Sequence, residues 1–196
     1  MGRDTLTARS ARPAVFFDRD GVLNSAIVRN GKPHPPRDLS EFVITHGARP
    51  ALENLKREGF LLIVVTNQPD IARGTARRAD VDKINAELAA ILPLDAIEVC
   101  EHDDRGQCDC RKPKPGMILR AHEKFGVDLA RSFMVGDRWR DIEAGRRAGC
   151  RTILIGDGYG ERFPSAPTIK LASLPGAASW IIQQRGRERE TNENTQ

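Results

Sequence analysis

The sequence has few aromatic residues and no long apolar segment. Phe, Trp and Tyr together make up 5% of its 196 residues, and the longest uninterrupted apolar run covers only residues 60–65. A helix that spans a bilayer needs about 20 apolar residues, so the sequence predicts no transmembrane helix. Residues 1–13 lack the apolar segment of a secretory signal. These absences exclude a membrane protein and a secreted one, and we expect a cytoplasmic protein.

Basic clusters are also missing. The formal net charge is +4, but the Arg and Lys residues are scattered along the chain. Proteins that bind single-stranded nucleic acid combine a basic groove with stacking aromatic side chains. The composition therefore argues against a nucleic-acid partner, and a mildly basic surface remains compatible with a small anionic substrate.

The length fits a single domain. We expect that domain to cover residues 13–184, between a flexible arm at residues 1–12 and a polar, frayed tail at residues 185–196. No segment is typical of a strong oligomer interface, so a monomer is expected.

Apolar segments alternate with amphipathic ones. The pattern predicts strands at residues 14–17, 60–65, 96–99, 132–135 and 151–155, and helices at residues 49–57, 80–92, 116–125 and 140–148. Strands and helices that alternate with short connections indicate a mostly parallel sheet with helices on both faces, a Rossmann-like α/β fold. In such sheets the chemistry lies at the carboxyl ends of the strands.

Polar side chains stand at three of these strand ends. They are Asp18 and Asp20 after the first strand, Thr66 and Asn67 at the end of the second, and Asp137 and Asp141 after residues 132–135. Taken alone, the first pair could be a turn rich in Asp and Gly, and Asp137 a helix N-cap. Together they predict a Mg²⁺ between Asp18 and Asp137 with a phosphate above it, because clustered carboxylates need a cation.

A basic segment and a cysteine cluster complete the pattern. Arg111 and Lys112 precede a predicted helix, where the alternative is a proline-broken loop with solvated lysines. The cluster is a CxH…CxC set made of Cys100, His102, Cys108 and Cys110. Soft and borderline ligands at this spacing suit a tetrahedral structural Zn²⁺ in a reducing compartment. The alternative is free thiols with a surface histidine.

These segments resemble the haloacid dehalogenase-like (HAD) phosphohydrolase superfamily, in order and in strand context. The resemblance rests on DxDG at residues 18–21, Thr66, the lysine Lys112 of the KP motif, and GDxxxD at residues 136–141. Within that superfamily, the resemblance is strongest to the small phosphatases that act on D-glycero-D-manno-heptose 1,7-bisphosphate and to their histidinol-phosphatase relatives. This narrower resemblance rests on the segments DRDGVLN, VVTNQ, IARG and CRKPKPGM. It implies a capless HAD fold with a zinc-binding loop.

The resemblance also implies roles for individual residues. Asp18 would be the nucleophile that forms an aspartyl-phosphate, and Asp20 the general acid and then the general base. The phosphate-binding and substrate-binding residues would be Arg19, Thr66, Asn67, Arg111 and Lys112. Mg²⁺ would be held by Asp18, Asp20 (through its backbone carbonyl) and Asp137, with Asp141 orienting neighbouring groups. The zinc ligands would be Cys100, His102, Cys108 and Cys110, which would fix the loop before Arg111.

The expected activity is a Mg²⁺-dependent phosphatase that removes the 7-phosphate of the heptose bisphosphate during synthesis of nucleotide-activated heptose for lipopolysaccharide or another surface glycan. Pro69 and Asp70 stand where the family commonly has Ser-Gly. The negative charge of Asp70 near a phosphate site could reject a second phosphate or contact sugar hydroxyls, so the identity of the substrate is left undecided. The alternatives are histidinol phosphate or another small sugar phosphate, a nucleic-acid 3′-phosphate end, and a zinc-stabilised binding module without activity. The retained acidic residues and Lys112 argue against the binding module.

Overall fold

The computed structural model describes residues 11–29 and 32–193. The strands are β1 (Ala14–Phe17), β2 (Ile27–Arg29), β3 (Lys32–His34), β4 (Leu61–Asn67), β5 (Ala96–Cys100), β6 (Phe133–Gly136), β7 (Arg151–Ile155) and β8 (Ile169–Leu171). The helices are α1 (Ala48–Arg57), α2 (Pro69–Ala72), α3 (Arg78–Ile91), α4 (Gly116–Phe125), α5 (Trp139–Ala148) and α6 (Leu174–Glu193).

Six of the strands form one parallel sheet in the order β5-β4-β1-β6-β7-β8. The predicted parallel α/β sheet is therefore confirmed. Strand β1 lies between β4 and β6, with Val15 opposite both Leu62 and Phe133. The carboxyl ends of these three strands meet at one edge of the sheet, where the predicted polar residues follow them.

Both faces of the sheet are covered, which explains the continuous apolar character of β1 and β4. On one face Phe17 and Val64 pack with residues of α1, α3 and α6. On the other face Phe16 and Val65 pack with residues of α4 and α5. Among the described residues both clusters belong to this sheet and its helices, and no separate cap domain covers the sheet edge.

The structure adds elements that the sequence pattern did not predict. A two-stranded antiparallel ribbon, β2 with β3, lies between β1 and α1, and β8 extends the sheet. The frayed tail predicted from residue 185 is wrong as far as Glu193, because α6 continues through it. Of the predicted arm, Arg12 is held by Val127 in a parallel bridge, and residues 1–10 lie outside the described residues. No helix in the described part of the chain is long and apolar enough to cross a membrane.

Candidate active site and metal centre

Asp18 is the first residue after β1 and lies beside a buried lysine. One of its carboxylate oxygens, Oδ1, accepts a hydrogen bond from the Arg19 backbone N–H at 2.7 Å and lies 2.9 Å from Nζ of Lys112. Burial raises the pKa of Asp18 to about 6; the charge of Lys112 opposes this rise, and that of Asp141 adds to it. Asp18 is thus a largely buried member of a site in which several charges lie close together.

Asp137 and Asp141 follow β6 and complete an acidic cluster with Asp18. One oxygen from each of the three carboxylates lies within 4.8 Å of the others. Oδ2 of Asp137 accepts a hydrogen bond from the Tyr159 hydroxyl at 3.0 Å, whereas Oδ1 is buried without a partner. Burial and then the charge of Asp18 raise the pKa of Asp137. A buried carboxylate oxygen without a donor fits a divalent cation, which prefers such ligands.

Gly21 is needed for this arrangement. Its φ is 91°, which L residues rarely adopt, and a Cβ there would lie 1.9 Å from Oδ2 of Asp137. The glycine of the DxDG motif therefore lets the backbone after β1 pass directly against the acidic cluster.

Lys112 is the cation of the cluster. Its Nζ lies 2.9 Å from Asp18 and 2.6 Å from Asp141. Burial opposes its charge, but Asp141 and Asp18 outweigh the burial and raise the pKa of Lys112. Asn67 holds the backbone of Lys112 on both sides: its Nδ2 donates to the carbonyl at 3.1 Å, and its Oδ1 accepts from the N–H at 3.0 Å. Asn67 thus lines the cleft while it positions Lys112.

Asp20 is fixed by donors from several elements. Its carboxylate accepts two hydrogen bonds from the Arg19 guanidinium, at 3.1 and 3.0 Å, and one each from Asn24 at 3.0 Å and Gln68 at 2.8 Å. Asp20 lines the cleft, so a substrate can reach it. The guanidinium of Arg19 is fully buried and also donates to Asn85 on α3.

The Arg19 side chain is therefore directed into the core, where Asp20 and Asn85 hold it, and its phosphate-binding role stays a prediction. Thr66 is also buried, and its hydroxyl accepts a hydrogen bond from Gln68 at 2.9 Å.

The cysteine cluster lies beside this site and is formed by Cys100, the last residue of β5, and by three residues of the loop between β5 and α4. Ligand atoms of Cys100, His102, Cys108 and Cys110 all lie within 4.8 Å of one another. Nδ1 of His102 is 3.6 Å from Sγ of Cys100 and 3.3 Å from Sγ of Cys110. Three sulfurs and one imidazole nitrogen at this separation fit a tetrahedral zinc ion. Burial raises the pKa of the Cys100 thiol to about 12.

A cleft of about 660 Å³ opens above the acidic cluster. The ribbon contributes Lys32 and His34 to its wall, and a group of arginines lines its mouth, namely Arg73, Arg111, Arg138 and Arg140. A cleft with carboxylates at its floor and cations at its mouth suits a small anionic ligand together with a metal ion.

The chain is similar to known proteins in sequence and in fold. Residues 109–173 match the HAD-hydrolase-like family. The chain is 36% identical over 183 residues to the D-glycero-beta-D-manno-heptose-1,7-bisphosphate 7-phosphatase of Escherichia coli O6:H1, which covers 87% of this chain and 88% of the relative. Its identity to the protein of the same name from Pseudomonas aeruginosa is 33% over 182 residues, covering 88% of this chain and 99% of that one. The chain belongs to the HAD-like hydrolases.

The fold of this HAD-like hydrolase is also that of solved relatives. The D,D-heptose 1,7-bisphosphate phosphatase from B. bronchiseptica, complexed with magnesium and phosphate, superposes with a TM-score of 0.74 at 30% identity, covering 88% of this chain and 99% of that one. A putative HAD-like phosphatase from Mesorhizobium loti gives a TM-score of 0.71 at 28% identity, covering 89% of this chain and 87% of that one. The predicted family is confirmed.

Several residues of this HAD-like hydrolase site were not singled out from the sequence. Gln68 and Asn85 secure Asp20 and Arg19, and Tyr159 reaches Asp137 from the connection between β7 and β8. Tyr159 has a φ of 55°, which is uncommon for a residue other than glycine. The position of Gln68 within TNQ could have suggested it, whereas no motif surrounds Asn85 or Tyr159.

Proposed function

We propose that the chain is a Mg²⁺-dependent phosphatase that removes the 7-phosphate of D-glycero-D-manno-heptose 1,7-bisphosphate, as a cytoplasmic monomer with residues 13–184 as its catalytic domain. The reaction would serve the synthesis of nucleotide-activated heptose for lipopolysaccharide or another surface glycan. The observation that carries the proposal is the placement of Asp18 between Lys112 and the carboxylates that follow β6. The identity to phosphatases that carry this name supports the choice of substrate.

Asp18 performs the first step of the reaction. Its free carboxylate oxygen attacks the phosphorus of the 7-phosphate and forms an aspartyl-phosphate, while the bond from phosphorus to the sugar oxygen breaks. Asp20 gives its proton to the departing sugar oxygen. Lys112 offsets the repulsion between the Asp18 carboxylate and the phosphate, because its ammonium group lies against Asp18.

The second step restores the enzyme. Asp20 takes a proton from water, the water oxygen attacks phosphorus, and the bond to Asp18 breaks to release inorganic phosphate. Asp18, Asp137 and the backbone carbonyl of Asp20 would hold Mg²⁺, which when bound supplies positive charge to the phosphoryl oxygens. Asp141 positions Lys112, to which its Oδ1 is 2.6 Å distant.

The cysteine cluster would hold a structural Zn²⁺. Its ligands Cys108 and Cys110 directly precede Arg111 and Lys112 in the chain. His102 also accepts a hydrogen bond on its backbone carbonyl from Arg111 at 3.2 Å. Zinc in this cluster would therefore keep Arg111 and Lys112 in place, and four protein ligands leave it no open position for a reaction.

Asp70 favours a second candidate, a phosphatase for a monophosphate such as histidinol phosphate. Asp70 lines the cleft and forms an ion pair of 3.2 Å with Arg73. A carboxylate at this place reduces the positive charge that would meet a second phosphate group. The mechanism at Asp18 is the same for either substrate.

Phosphate release in the presence of Mg²⁺ tests the proposal. The panel contains both anomers of heptose 1,7-bisphosphate, heptose 7-phosphate, histidinol phosphate and a 3′-phosphorylated oligonucleotide, with Asp18→Asn as the blank. We expect the highest kcat/KM for a heptose bisphosphate. A higher value for histidinol phosphate would support the second candidate, and no release from any substrate would overturn the phosphatase itself.

A further inference from the structure

One carboxylate in the zinc-binding loop is paired with several arginines at the mouth of the cleft. Oδ1 of Asp104 lies 3.0 Å from Nε and 2.9 Å from Nη2 of Arg111, and 3.9 Å from Nη2 of Arg140. Oδ2 of Asp104 accepts a hydrogen bond from Nη2 of Arg73 at 3.2 Å. The three guanidinium groups come from separate segments: the end of α2, the residues after the zinc-binding loop, and α5.

The arginines and Asp104 differ in how firmly the fold holds them. The Arg111 side chain is only 9% exposed, whereas that of Asp104 is 60% exposed. Arg111 is also held by the carbonyl of His102. Asp104 can therefore turn into solvent at little cost, while Arg111 stays where it is.

The arginine group has more donor capacity than Asp104 uses. Nε of Arg140 is buried and has no hydrogen-bond partner, and the nearest acceptor to Nη2 of Arg140 among the ion pairs is 3.9 Å away. Two carboxylate oxygens with one negative charge serve three guanidinium groups. A phosphate group brings three oxygens and up to two charges, which suits this set of donors better.

We propose that Asp104 determines specificity: its carboxylate occupies the position that the second phosphate group of a bisphosphate takes between Arg73, Arg111 and Arg140. A bisphosphate must displace Asp104 to bind there. A monophosphate binds at Asp18 without displacing it. Asp104 therefore lowers the affinity for a bisphosphate relative to a monophosphate, and the inference rests on the proposed function.

The test compares Asp104→Asn with the wild-type protein on heptose 1,7-bisphosphate and on heptose 7-phosphate. We expect the KM for the bisphosphate to fall about fivefold, on the order of one partly exposed ion pair, with an unchanged KM for the monophosphate. Arg140→Gln should raise the KM for the bisphosphate alone. Glu53→Gln removes the same charge from a remote pair on α1 and should change neither KM.

The opposite result has a clear meaning. If Asp104→Asn raises the KM for the bisphosphate, Asp104 holds the arginines in place for the substrate. If the KM is unchanged, Asp104 has no effect on binding. Either result overturns the proposal. A second assay separates this outcome from a wrong substrate: inhibition of p-nitrophenyl phosphate hydrolysis by a hexose 1,6-bisphosphate and by a hexose 6-phosphate. Asp104→Asn should lower only the inhibition constant of the bisphosphate, even if neither heptose phosphate is hydrolysed.

Discussion

The ammonium group of Lys112 lies 2.9 Å from Oδ1 of Asp18. This lysine also contacts Asp141, so it is the cation that allows several carboxylates to share the end of β1 and β6. Its side chain is buried, and its neighbour Asn67 fixes its backbone. The same ammonium group therefore offsets the negative charge of Asp18 and Asp141 in the resting protein and would offset the charge of the phosphate during phosphoryl transfer.

Replacement of Lys112 should affect both rate and stability. We expect Lys112→Gln to lower kcat by about 10²–10³-fold, as for the loss of one preorganised donor to developing charge. The melting temperature without Mg²⁺ should also fall, because the carboxylates lose their buried counter-ion. Steady-state kinetics and thermal unfolding measure the two effects. Lys83→Gln, on the exposed side of α3, is the control, and an equal loss in that variant would contradict the prediction.

Asp18→Asn should remove activity and stabilise the protein in Mg²⁺-free buffer. Asp18 has a pKa of about 6 in the folded chain, raised by burial, against 3.8 for an ordinary aspartate. The folded state therefore binds the proton more tightly, and its stability falls as the pH rises from about 4 to about 6. At pH 7.5 we expect the variant to be more stable by about 1–3 kcal/mol, with a smaller gain at pH 4. Thermal melts at both pH values test this, and a lower melting temperature at pH 7.5 would refute it.

Tyr159→Phe should weaken Mg²⁺ binding without a large effect on kcat. The Tyr159 hydroxyl donates to Oδ2 of Asp137, and groups that orient metal ligands typically contribute about tenfold or more in metal affinity. We expect the Mg²⁺ concentration for half-maximal activity to rise about tenfold, and calorimetric titration should show the same loss in the absence of substrate. An unchanged Mg²⁺ affinity would contradict the prediction, because it would show that the hydrogen bond from Tyr159 does not orient Asp137 for metal binding.

Cys110→Ser should remove zinc and loosen the segment that carries Arg111 and Lys112. Elemental analysis should detect zinc in the wild-type protein and not in the variant, and the melting temperature of the variant should fall because metal binding contributes to folding. Cys150→Ser is a matched control, since Cys150 is equally buried but outside the cluster. Retention of zinc by Cys110→Ser, or its loss from both variants, would count against the assigned ligands.

Glu143 on α5 should give a pH-dependent contribution to stability. Hydrogen bonds from Arg146, Arg147 and Ser165 stabilise its carboxylate, that from Arg146 most, and burial opposes them. The net effect lowers the pKa of Glu143 to about 2, against 4.5 for an ordinary glutamate. Its contribution is therefore fully present above about pH 4.5 and is lost as the pH falls toward 2. Glu143→Gln should lose about 1–2 kcal/mol of unfolding free energy at pH 7 and progressively less below pH 4.5. Urea unfolding across pH 3–7 checks this, and a constant difference would exclude the ionised side chain as the cause.

The sequence predicted the sheet and the floor of the site because both follow from local patterns. Strands such as β1 and β4 are buried on both faces and are therefore continuously apolar over most of their length. Asp18 directly follows β1, and Thr66 and Asn67 are the last two residues of β4. The parallel arrangement then brings these ends to one edge, so Asp18 and Asp137 could be placed together without coordinates.

The rest depended on tertiary contacts that leave no trace in periodicity. The direction of the Arg19 side chain is set by Asn85, far along the chain on α3. The contact between Tyr159 and Asp137 depends on the path of a connection that contains no motif. The helical character of residues 185–193 is hidden by their polarity, because the apolar residues that dock α6 lie at its beginning, around Ala177 and Ile181.

The place of β1 has a consequence for the synthesis of the protein on the ribosome. Among the described residues it is the first strand in the chain, but its neighbour β6 begins only at Phe133. A nascent chain that ends before Phe133 exposes an apolar strand with an unpaired edge, which is prone to aggregate. Such a chain also holds Asp18 without Asp137. A metal site that needs both carboxylates can therefore form only after β6 has been synthesised.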